Sequence, residues 1–147
     1  MNKNISIIKR SSLVIMVLSL LGAAMYVIAG ISMSKATSST FRNYLFGVRI
    51  GDFIYALVLV ISALIFFRIS RSGRPFTRGN VWAVRGIAGL FVVKVLVQAI
   101  LEGKELGFFK AIVIRGVDSI FFVALFLVIA EIMRYGRLLQ NESDETL

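Results

Sequence analysis

Five ionisable side chains sit where the sequence is otherwise apolar: Arg49, Asp52, Lys94, Arg115 and Asp118. Acids and bases inside such segments can do two kinds of work. They can carry protons or ions, or they can join helices as buried pairs. Other chemistry is poorly provided for. The chain has no cysteine and no histidine, which excludes thiolate and imidazole metal ligands, a cysteine nucleophile and a Ser-His-Asp arrangement. It also removes the usual general base at neutral pH. The residues form no metal set and no cofactor motif, and the chain reads as a non-enzyme.

The elements that must position these charges are four apolar blocks. The 147 residues are 58% hydrophobic, with a mean hydropathy of +0.86, more apolar than is usual for a soluble domain. The blocks cover roughly residues 13–32, 48–67, 84–101 and 111–133, each close to the ~20 residues a helix needs to cross a hydrocarbon layer. The expected fold is all-α: one integral membrane domain, a four-helix bundle with antiparallel up-down topology. The first block follows a basic tail, as a signal peptide would, but a signal core spans about 7–15 residues. This run is longer and is read as a retained span. Residues 33–43 and 102–110 are short polar connections, 68–83 is a basic loop, and 134–147 is a polar tail that turns acidic. Gly73 and Pro75 break the helix in the basic loop. Thr77 or Asn80 is the candidate N-cap beyond it, and Trp82 the interfacial anchor.

Orientation follows from the distribution of basic residues. Lys3, Lys9, Arg10, Arg68, Arg71, Arg74, Arg78, Arg85, Arg134 and Arg137 fall on one side of the four blocks, against Lys35, Arg42, Lys104 and Lys110 on the other. Ten against four places both termini and the 68–83 loop on the cytoplasmic side of the membrane. On a soluble chain a net charge of +9 would point to nucleic acid. Here topology and anionic lipid account for it, so the expected partner is the bilayer, with no direct nucleic-acid contact.

Each buried charge costs about 2.5–3.5 kcal/mol at a helix centre. The fourth block carries fourteen Ile, Val, Leu and Phe residues, together worth about 4–8 kcal/mol of insertion free energy. Arg115 and Asp118 could cancel most of that if unpaired, so they are expected off-centre and turned inward. Lys94 lies seven residues before Leu101 and Asp118 seven after Ala111, both about 10 Å below the same surface. Neighbouring antiparallel helices would then bring Lys94 to Asp118. Asp52 with Arg49 or Arg115 is the second expected contact, and Glu131 is expected to meet Arg85 or Arg134, or to snorkel to the headgroups. Arg49-x-x-Asp52 and Arg115-x-x-Asp118 echo each other at the start of two inward-running helices, the pattern of two related hairpins. Ser19 with Ala23 and Gly47 with Gly51 have the small-xxx-small spacing of close helix contacts, within the chain first and in a homo-oligomer second.

Two motifs face the expected cytoplasmic side. Gly73-Arg74-Pro75-Phe76-Thr77-Arg78-Gly79-Asn80, followed by Arg85-Gly86-Ile87, resembles the middle loop of the bacterial family called domain of unknown function 2975. Residues 129–142, Ile-Ala-Glu-Ile-Met-Arg-Tyr-Gly-Arg-Leu-Leu-Gln-Asn-Glu, resemble that family's closing pattern, although the last residues, Asp144 to Leu147, depart from it. The resemblance implies a four-helix bacterial inner-membrane protein, encoded near a Cro-type helix-turn-helix regulator that is the candidate partner. It carries over no catalytic or binding residues. The candidate partner or lipid surface is therefore read from the residues themselves: Arg71, Arg74, Pro75, Phe76, Arg78, Arg85 and Glu131. The expected function is regulatory, sensory or immunity-like. The competing expectation is a small oligomeric transporter or channel using the intramembrane charges.

Overall fold

The computed structural model describes residues 3–32 and 39–145, with side-chain surroundings for all of these except 3–4, 30, 32, 39–48, 104–106, 115, 118, 144 and 145. Among the described residues the chain forms four long helices: α1 (Lys3–Ser32), α2 (Ser39–Ser72), α3 (Arg78–Leu106) and α4 (Phe108–Glu145). Each contains a stretch long and apolar enough to cross a membrane: Ile5–Ala29, Arg49–Ser72, Arg78–Gly103 and Ser119–Ser143. This is the architecture of a multi-pass membrane protein.

The helices run further than the apolar blocks. Residues 102–106, read as part of a connection, continue α3, because Glu, Lys and Leu are good helix formers. The break comes at Gly107, whose φ of 82° suits a residue without a Cβ. Its amide donates to Gly103 O at 3.0 Å. The expected polar tail is likewise helical through Glu145. At 1.5 Å per residue α4, with 38 residues, is about 57 Å long, well beyond a hydrocarbon core of about 30 Å.

The basic loop shrinks to residues 73–77. Gly73 ends α2 with φ 69° while its amide donates to Ile69 O at 2.7 Å, a left-handed C-terminal cap. Thr77 is the N-cap of α3: its Oγ1 accepts from the Asn80 amide at 3.2 Å. Asn80, the other candidate, is fully buried, and its Nδ2 donates to Pro75 O at 3.0 Å. One residue thus caps the helix and the other holds the turn against it. Asn80→Ala removes one of the two donors to the Pro75 carbonyl, which keeps the Thr77 amide at 3.2 Å, and the expected loss is about 0.5–1.5 kcal/mol, readable as a lower thermal midpoint in detergent with helix content unchanged at low temperature.

Side-chain contacts set the arrangement. Cβ positions built on Gly73 and Gly22 would lie 3.1 Å from Ile5 and from Leu59 respectively, so α1 and α2 are antiparallel. Arg85 meets Glu131, and Phe91 meets Phe122 and Phe126, so α3 and α4 are antiparallel too. The α1–α2 and α3–α4 contacts are extensive, and α2 and α3 share a narrower one. The fold is two helical hairpins placed side by side. Among the described side chains of α1, Ser12, Ser19 and Ala23 are buried, a small-residue stripe of the kind that lets membrane helices approach closely. Val58, Ile65, Ile69, Val81, Val84, Ile87, Phe91, Ala130 and Met133 form the apolar core where α2, α3 and α4 meet.

An aromatic chain crosses the hairpins. Tyr26 of α1 stacks on Tyr55 of α2 at 5.4 Å, Tyr55 meets the edge of Phe91 of α3 at 5.8 Å, and Phe91 stacks on Phe122 of α4 at 5.1 Å. In lipid, hydrophobic transfer gives little net drive for helices to associate, so dispersion between well-fitted surfaces carries more of the weight.

Candidate functional site

Two groups of polar residues stand out, one in the interior and one at the end of the bundle that carries the 73–77 turn. The interior group lies on α3. Lys94, Gln98 and Glu102 are 7%, 5% and 5% exposed. They recur every four residues and so share one helix face. Across from them, Lys94 Nζ donates to Tyr55 Oη at 2.9 Å and lies 4.5 Å from the centre of the Tyr55 ring. Gly51 supplies the room, because a Cβ there would stand 3.1 Å from Gln98 Nε2 and 3.7 Å from Lys94 Cε. Gly51 thus serves a contact within the chain, as expected, whereas the surroundings of Gly47 lie outside the described residues. On α4, Ser119 is buried at 1% exposure.

Of the five predicted interior charges, Lys94 is buried, and Arg49 and Asp52 are half-buried on α2. The side chains of Arg115 and Asp118 lie outside the described residues, and with them the expected Lys94–Asp118 contact. The described polar contact of Lys94 is to Tyr55. Among the described side chains Asp52 makes no ion pair, with Arg49 or with any other, and its alternative partner, Arg115, lies outside them. Tyr55, Gln98 and Glu102 escaped the sequence reading. A four-residue polar recurrence was visible, but Glu102 was assigned to a connection, and nothing local marks Tyr55 as facing Lys94.

At the other site the two sequence motifs come together. Gly136 of α4 carries the Phe76 ring directly on its backbone: a Cβ at 136 would lie 3.1 Å from three atoms of that ring. Glu131 receives both expected partners. Arg85 Nη2 is 2.6 Å from Glu131 Oε1, and Arg134 Nε is 2.7 Å from Oε2. The Arg85 guanidinium also lies 5.5 Å from the centre of the exposed Trp82 ring. Arg71, Arg74 and Arg78 are exposed, with the Arg71 guanidinium 5.8 Å from the Phe67 ring centre. The Arg74 amide donates to Ser72 Oγ at 3.1 Å. Ile5 and Lys9 of α1 approach Gly73, so the N-terminal part of α1 joins the same end. Gly136 was missed as a site residue because a glycine inside a helical pattern reads only as a weak position.

The Phe76 seat can be tested. The ring is rigid, so Gly136→Val must move it or the turn that bears it. The expected cost is about 1–3 kcal/mol, partly offset by the roughly 0.5–1 kcal/mol gained on removing a helix glycine. Destabilisation in detergent, with Gly86→Val near neutral as the control, checks this; a Cβ at Gly86 meets nothing within 4 Å.

Among the described residues no cluster of three or more acidic side chains could hold a metal ion. In comparisons with protein-family models, curated proteins and solved structures, nothing matches this chain.

Proposed function

We propose that this chain is a bacterial inner-membrane protein of the type its two motifs resemble, with both termini and the 73–77 turn in the cytoplasm. It acts without catalysis, as a regulatory, sensory or immunity-like protein that engages a partner at its basic end. The observation that carries the reading is the seating of Phe76 on Gly136. It joins the turn motif and the closing motif into one surface, flanked by Arg71, Arg74, Arg78 and the Arg85–Glu131–Arg134 cluster. Positive charge concentrated at one end also favours the cytoplasmic placement. The helix-turn-helix regulator suggested by the resemblance is the first partner to try.

The experiment is a pull-down from nanodiscs holding the full chain. Retention of the regulator by the wild type, lost in Arg74→Glu/Arg78→Glu, supports the reading. A regulator that never binds, or binds both proteins equally, removes it. Reporter fusions near Ser72 and Glu142 that report opposite sides of the membrane defeat the topology separately.

The second reading is a small oligomeric transporter or channel. Its specific support is the stripe of Lys94, Gln98 and Glu102 on one buried face, with Tyr55 and Asp52 on the adjoining helix. Proteoliposome flux that disappears in both Lys94→Met and Asp118→Asn favours it, and flux indifferent to both ends it.

A further inference from the structure

An apolar groove of about 290 Å³ opens between α2 and α4, which flank α3. Ile65, Phe66 and Ile69 form one wall, Phe126, Ile129 and Met133 the other, and Pro75 and Phe76 close the end nearest the turn. From Phe126 to Met133 the α4 wall runs about 10 Å along the helix axis.

The charge at the closed end is unusual. Arg137 lies one turn beyond Met133 on the same face of α4, and long helical side chains lean back toward the N-terminus, here toward the groove. Its Nε is shut off from solvent and has no hydrogen-bond partner among the described residues. Arg74 adjoins Pro75 at the same end. Glu131 is engaged by Arg85 and Arg134, and among the described residues Arg137 makes no ion pair. A slot shaped for hydrocarbon and bordered by cations matches an amphiphile with an anionic head.

We propose that this groove binds one anionic phospholipid of the adjoining leaflet, an acyl chain lying between α2 and α4 and the phosphate resting on Arg137. The proposal rests on the membrane reading above. The occupant is a lipid because the lining is apolar apart from Ser62, whose hydroxyl donates to Val58 O, and the charge is confined to one end, the division found within a phospholipid molecule. The Arg137 Nε, closed to solvent and without a hydrogen-bond partner among the described residues, costs free energy as it stands, and a phosphate is the group a guanidinium fits best. The proposed lipid would also bridge the two hairpins where the helices themselves pack least.

The test uses the full chain, delipidated in detergent and titrated with phosphatidylglycerol or phosphatidylcholine, with bound lipid read by native mass spectrometry. One phosphatidylglycerol molecule is expected to bind in preference to phosphatidylcholine. In Arg137→Gln its affinity should fall about fivefold, the usual weight of one basic residue at an anionic membrane surface, while Arg137→Lys retains most of it. Glycerol phosphate, the head without the chains, should not compete; competition would assign the site to free phosphate and overturn the proposal. Equal binding of the two lipids, or an Arg137→Gln protein that binds as the wild type does, also overturns it. So does a dimer that separates when the groove is filled by Ile129→Trp, which would make a second copy the occupant. A chain that fractionates with membranes yet shows no lipid preference defeats this site alone, and a chain that stays soluble without detergent defeats the membrane reading beneath it.

Discussion

Phe91→Ala lowers the stability of the reconstituted protein more than truncation of any lipid-facing residue. The expected loss is about 3 kcal/mol, at the lower end of the usual range for aromatic truncation in a core. Phe91 is 2% exposed and touches Tyr55 on one side and Phe122 and Phe126 on the other, so its ring is the point where the two hairpins meet. The loss falls at the lower end because an unfolded helix in lipid already hides its side chains from water, and the transfer contribution is small. What remains is dispersion and ring packing across a cavity that rigid helices cannot close. Reversible unfolding in mixed micelles measures it. Val93→Ala, at a site 49% exposed, serves as the reference, and equal losses at the two positions would show that the aromatic chain is not what joins the hairpins.

The second large effect concerns the Lys94–Tyr55 contact and takes the form of a reversal. Tyr55→Phe removes the acceptor of a buried Lys94 Nζ, and hydrogen bonds to charged groups are worth about 1.5–3 kcal/mol. Adding Lys94→Met to that variant removes the buried charge as well. Because an ammonium in a span costs roughly 2.5–3.5 kcal/mol, the double variant is expected to recover the loss and to equal or exceed wild-type stability, as apolar replacements of buried ion pairs do elsewhere. Chemical denaturation of the four proteins of the cycle gives the coupling directly. A Lys94→Met protein that instead loses about 3–5 kcal/mol, and recovers with Asp118→Asn, establishes the ion pair expected from helix depth. If the double variant is stable but its biological effect is gone, the polar stripe of α3 is kept for work and not for stability.

What local chemistry decides was legible in the residues. Four spans follow from hydropathy and length, because the backbone must satisfy its own hydrogen bonds in lipid. The break after α2 follows from Gly73 and Pro75, and Thr77 was one of two residues able to cap the next helix. Glu131 met both of its expected partners, because Arg134 is three residues away on the same helix and Arg85 sits at a matching level on its antiparallel neighbour.

The connection at 102–110 was misjudged because apolar content was used to end a helix. Hydropathy marks where lipid stops, whereas Glu102 and the residues after it are content to stay helical beyond that point. Which face of each span turns inward could not be read either. A helix surrounded by lipid on one side and apolar neighbours on the other needs no amphipathic pattern, so α1 gives no hydrophobic period for its packing face, and α3 offers only the polar recurrence at 94, 98 and 102. Only the tertiary structure decided that Tyr55 receives Lys94, that Phe91 carries the aromatic chain, and that Phe76 rests on Gly136, sixty residues further along the chain. These contacts depend on the rotation of whole helices about their axes, which the sum of many weak packing contacts sets and no single residue announces.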